Sequence, residues 1–104
     1  MKTKTNPKLE KLGQKLARLD WQLVNLMARR LRLSRQVADA KKETGEPIFR
    51  ASAERARLHR IAKWATEQGI NPEFARTLLY NIIGESCKQQ MIHLQTKKQT
   101  KTVS

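Results

Sequence analysis

The 104 residues carry 22 Lys and Arg against 9 Asp and Glu, a net charge of +13. That length makes one small domain, and the charge suggests anionic partners: nucleic acid, lipid headgroups or acidic metabolites. A membrane span is excluded by the lack of eighteen consecutive apolar residues, and an internal disulfide by the single cysteine, Cys87. No apolar signal core follows the basic start, so the expected setting is the reducing cytoplasm.

Residues 1–6 and 96–104 are basic and read as disordered ends around a helical domain over 7–95. Asn6-Pro7 is a helix start, an N-cap followed by proline at the first helical position. Apolar residues then recur in alternating steps of three and four: Leu9, Leu12, Leu16, Leu19, Leu23, Leu26, Leu33, Val37 and Ala40. Only Arg30 interrupts that stripe. A guanidinium in an apolar seam either snorkels to water or meets an anion, because a bare buried charge is costly. Gly45, with Pro47 beyond it, ends the helix near residue 44. Such a helix is about 55 Å long, against a radius of gyration of about 13 Å for a compact chain of this size. It cannot close its seam on itself, and an intertwined homodimer is expected.

Residues 45–51 form a loop, and Ser52 is the expected cap of a second helix with Glu54 in its first turn. Leu58, Ile61 and Ala65 make its apolar face, and Glu54 lies one turn before Leu58 on that face. Gly69 closes this helix, and Asn71-Pro72 opens a third that runs to about Leu94. Its stripe of Leu79, Ile82 and Ile83 continues into Ser86, Gln90 and His93, so each helix extends a core face with polar groups able to hold a small ligand. The expected fold is all-α, three helices with one very long N-terminal helix. There is no Gly-rich phosphate loop. His59 and His93 have no ligand partner at helical spacing, which argues against a metal. Dispersed cations and five aromatic residues argue for salt-sensitive, nonspecific contact with nucleic acid at most.

The run Leu19-Asp20-Trp21-Gln22-Leu23-Val24-Asn25-Leu26-Met27-Ala28-Arg29-Arg30 resembles the first helix of the all-helical (class II) chorismate mutases. The later spacing fits too: Lys41 eleven residues after Arg30, Pro47-Ile48 after a short loop, Glu54 opening the second helix, Ser86 and Gln90 one turn apart on the third. The resemblance covers residues 8–95 and implies a dimer of three-helix chains. It implies the rearrangement of chorismate to prephenate in aromatic amino-acid biosynthesis, a one-step pericyclic reaction that needs no cofactor. It also implies roles. Lys41 and Gln90 contact the ether oxygen, Glu54 accepts from the ring hydroxyl, Arg30 grips a carboxylate, and Ser86 lies against one.

Three positions depart from the family pattern. Gly13 stands where a first-helix arginine is expected, Arg50 replaces an aspartate, and Ala53 replaces an arginine. Arg50 and Arg55 are the candidates to supply the missing charge. Without it, two lost charge-assisted contacts at roughly 1.5–3 kcal/mol each would lower kcat/KM by about two to four orders of magnitude. An isochorismate-pyruvate lyase-like enzyme, or a non-catalytic metabolite-binding or regulatory member of the family, is the alternative reading.

Overall fold

Asn6 starts the first helix with its side chain: Oδ1 accepts from the amides of Lys8 at 3.1 Å and Leu9 at 3.2 Å. The computed structural model describes the backbone of residues 6–103 and the side chains of residues 6–97, so the expected disorder of residues 1–5 lies outside the described residues. Three helices make up the fold: α1 (Pro7–Thr44), α2 (Ala51–Glu67) and α3 (Pro72–Val103), with no strand among the described residues. The long N-terminal helix and the all-α class are as the sequence indicates.

Glycine ends α1 and α2 in the same way. Gly45 has φ +71° and Gly69 φ +73°, the left-handed region that a side chain disfavours. Past each glycine the next amide reaches back along the helix: Glu46 N to Lys41 O at 2.9 Å, and Ile70 N to Ala65 O at 2.8 Å. These backbone bonds satisfy carbonyls that a bare helix end leaves without partners. Asn71 Oδ1 then accepts from Glu73 N at 2.9 Å and starts α3.

Two helix boundaries differ from expectation. Arg50, not Ser52, is the cap position of α2; its backbone is extended, and its carbonyl takes the first helical bond from Glu54 N at 3.0 Å. Ser52 therefore lies inside the first turn. The other correction is the end of α3, which continues to Val103 rather than stopping near Leu94. No glycine or proline occurs between Leu94 and Val103 to break it.

The chain divides into two compact units, Met1–Arg32 and Leu33–Ser104. In the first unit the leucines of the seam are uncovered: Leu9, Leu12, Leu16, Leu19, Leu23 and Leu26 are each 46–65% exposed. In the second unit α2 and α3 pack together as a helical hairpin through the four residues 68–71. Its buried apolar residues are few and mostly small: Ala38, Ala62, Ala65, Ala75 and Ile83. Ser34, Glu54, Ser86 and Gln90 are as buried as these. Nearly half of the buried set is polar, and buried polar groups persist only where partners compensate their lost hydration.

One partly exposed cluster ties α1 to α3. Asp39 accepts from Lys97 Nζ at 2.9 Å, and His93 Nε2 lies 3.1 and 3.2 Å from its two oxygens. The hydrogen bond from Lys97, then that from His93, holds the Asp39 carboxyl below its ordinary pKa. A depressed carboxylate contributes stability above the ordinary carboxylate range, and that contribution is lost as pH falls through the lowered value. His93 is thus engaged with Asp39 rather than extending the row of Ser86 and Gln90 toward a ligand.

Candidate functional site

The buried polar groups converge at one end of the second unit. Gln90, on α3, is held from two sides by α1. Its Nε2 donates to Ser34 Oγ at 2.7 Å, and its Oε1 accepts from Lys41 Nζ at 3.4 Å. An ammonium has donors and no acceptor, so the carboxamide turns its oxygen to Lys41 and its nitrogen to Ser34. Ser34 Oγ in turn donates to the Ser86 carbonyl at 3.5 Å. Lys41 also donates to the carbonyl of Ile48, which fastens the 45–50 loop against α1. The result is a chain of hydrogen bonds from the Ile48 carbonyl of the loop through Lys41, Gln90 and Ser34 to the Ser86 carbonyl.

Lys41 opens onto a cavity of about 340 Å³, lined on α1 by Val37, Ala40 and Thr44 besides Lys41 itself. The loop contributes Glu46 and Arg50, and α2 contributes Ala53, Glu54 and Arg57. That volume suits a small metabolite. Three cations and two carboxylates on its wall leave a net positive lining. The carboxylates are already engaged: Glu46 Oε2 with Arg50 Nη1 at 3.4 Å, and Glu54 Oε1 with Arg57 Nη1 at 3.0 Å. Glu54 Oε2, by contrast, is buried without a hydrogen-bond partner. An orphaned carboxylate oxygen beside a cavity is an acceptor waiting for a donor, since a buried oxygen left so costs roughly 1–3 kcal/mol.

The expected site residues fall into three groups. Lys41, Glu54 and Arg50 line one cavity; Gln90 is bonded to Lys41 directly, and Ser86 is joined to Gln90 through Ser34. Arg55 is exposed on α2 and is not part of the lining; it follows Glu54 by one residue and so faces about 100° round the helix. Arg30 belongs to the first unit, where it is half-buried. Gly13 is also in that unit, and a Cβ built there meets nothing within 4 Å.

Two residues of the site escaped the sequence reading, Ser34 and Arg57. Ser34 lies seven residues before Lys41, two turns along the same face of α1, and that spacing was the available signal. Arg57 lies three residues after Glu54, a spacing that brings the two side chains together on one helix surface.

The arrangement can hold an anion, donate hydrogen bonds from Lys41 and from the second amide hydrogen of Gln90, and accept one through Glu54. Among the described residues no group of three or more His, Cys, Asp or Glu could hold a metal ion. No helix of the described residues is long and apolar enough to cross a membrane. A family model described as chorismate mutase type II matches residues 12–91. No curated protein matches the chain.

Proposed function

The chain belongs to the chorismate mutase type II family, and from that premise we propose that the cavity walled by Lys41, Arg50 and Glu54 is where chorismate rearranges to prephenate. Membership makes it an isomerase acting on a small molecule. The assignment of the reaction to this cavity rests on one observation above the others: Lys41, on the cavity wall, donates at 3.4 Å to Gln90, which lies 49 residues away behind it.

The rearrangement breaks a carbon–oxygen bond as a carbon–carbon bond forms, in one step. No nucleophile or proton transfer is needed, so the protein acts by folding the substrate and by stabilising charge on the departing ether oxygen. Lys41 supplies a full positive charge there. Gln90 supplies a neutral donor, its remaining Nε2 hydrogen, while Ser34 fixes the plane of the carboxamide. Glu54 Oε2 takes the ring hydroxyl and in doing so loses its orphan status. Arg30 and Ser86 are assigned to the substrate carboxylates on the family resemblance, and Arg50 is the loop cation on the cavity wall.

We further propose that the working form is a homodimer. The exposed leucines of α1 support this, because six large apolar side chains in one helical stripe favour a like surface over water. The lone, half-buried Cys87 agrees with a reducing cytoplasm as the setting. The +13 charge draws an acidic metabolite without requiring a nucleic acid.

The experiment is product identification. Purified protein is incubated with chorismate and, in parallel, with isochorismate, and the products are separated by chromatography. Prephenate from chorismate is expected. Pyruvate released from isochorismate, with chorismate untouched, would replace this reading by the lyase one. Inertness toward both would leave a metabolite-binding member of the family.

A further inference from the structure

We propose that Arg57 is the specificity-determining cation of this cavity: it holds Glu54 with one nitrogen and takes a carboxylate of the substrate with the others. The proposal rests on the functional reading above and adds to it a residue that neither the sequence pattern nor the family resemblance assigned.

Four observations carry it. Arg57 lines the cavity, on the α2 wall shared with Ala53 and Glu54. Its Nη1 lies 3.0 Å from Glu54 Oε1, while Glu54 Oε2 has no partner, so this pair is a single contact and not the two-pronged grip that Arg and a carboxylate can form. The guanidinium therefore keeps unused donors. Its side chain is 40% exposed against 11% for Glu54, so the carboxylate is buried while the cation still faces open space. Finally, Ala53 lies one turn before Arg57 on the same wall and offers only a methyl group, which leaves room for a planar head and its ligand.

The other cations are less suited. Lys41 is already bonded to the Ile48 carbonyl and to Gln90. Arg50 is about half exposed at the loop end, paired at 3.4 Å with an equally exposed Glu46. A substrate with two carboxylates needs a fork of donors on the wall, and Arg57 presents one whose base is fixed by a buried acid. The wall thus keeps, one turn further along α2, the charge that Ala53 lacks. Glu54 gains as well. The guanidinium holds one of its oxygens and leaves the other turned to the cavity side as an acceptor.

The test measures equilibrium binding of prephenate, a stable dicarboxylate of the right class, by calorimetry, alongside chorismate kinetics. Wild type, Arg57→Ala, Arg57→Lys, Glu54→Gln and the Arg57→Ala/Glu54→Gln double variant are compared, with circular dichroism as the check on folding. Arg57→Ala should weaken prephenate binding and raise KM by roughly ten- to a hundredfold, as for loss of a charge-assisted contact. Arg57→Lys, which keeps the charge and loses the fork, should recover part of that. The same loss should appear in the Glu54→Gln background if Arg57 touches the ligand. A loss that disappears there would mean Arg57 acts only through Glu54, and the proposal fails. It fails equally if Arg57→Ala and Arg57→Lys bind prephenate as wild type does, or if wild type binds none. Binding that depends on Arg57 in a protein without turnover would overturn the mutase reading and leave this one standing.

Discussion

Replacing Lys41 by alanine is expected to lower kcat for chorismate by about two to three orders of magnitude, the usual cost of removing one donor from a developing oxyanion. Lys41 has two duties that the variant separates. As a donor to the Ile48 carbonyl it holds the loop, and as a cation beside Gln90 it is the group proposed to face the breaking bond. Loss of the first raises KM by loosening the loop; loss of the second lowers kcat. Because the charge is made use of most in the transition state, kcat should carry most of the change. Gln90→Ala should act in the same direction, with a further cost in stability because Ser34 Oγ loses its 2.7 Å donor in a buried place. Stopped-time assays of prephenate formation with both variants, at helix content matched to wild type, check this. Unchanged turnover in both would make the Ser34–Gln90–Lys41 chain a structural tie and nothing more.

The second large effect concerns assembly. Changing Leu16 and Leu23 together to glutamate should abolish the dimer and much of the helical signal with it. These residues are 61% and 57% exposed in the single chain, and fully burying a leucine stabilises by roughly 1.5–3 kcal/mol. Two substitutions per protomer place four charges in one seam, where burial of each is strongly opposed. Most helical stability in proteins comes from packing of an amphipathic face, so the first half of this 38-residue helix depends on what covers its exposed leucines. Analytical ultracentrifugation of wild type should give a dimer at micromolar concentration, and the double variant a monomer. A wild-type protein that sediments as a folded monomer would remove the proposal of a shared seam.

How far the sequence alone reaches can be seen at individual residues. Asn6, Asn71, Gly45 and Gly69 were legible because each acts locally, through a side-chain cap or a left-handed backbone, and needs no knowledge of the rest of the chain. Glu54 and Gln90 stood out because they continue core-facing stripes with polar groups, whereas Lys41 was indicated by the family resemblance alone. Ser34 was not, since a serine on a helix is common and nothing local distinguishes one bonded to a residue 56 positions away. Arg57 was hidden among 22 cations, and only the cavity sets it apart from Arg55. The start of α2 lies two residues before the expected one because Ser52 is the better cap by type, whereas Arg50 takes the position through its extended backbone alone. The end of α3 lies beyond Leu94 because polar composition alone does not stop a helix and no glycine or proline stands there.

The central claim is that the cavity between Val37 and Arg57 is where the dicarboxylate sits, and residue-resolved NMR of the labelled protein titrated with prephenate tests it most directly. Saturable shifts are expected at the amides of residues 37–57 and at Ser86 and Gln90, together with the side-chain amide of Gln90, all fitting one dissociation constant. Saturable shifts confined to other parts of the chain, or none at millimolar prephenate, would contradict it.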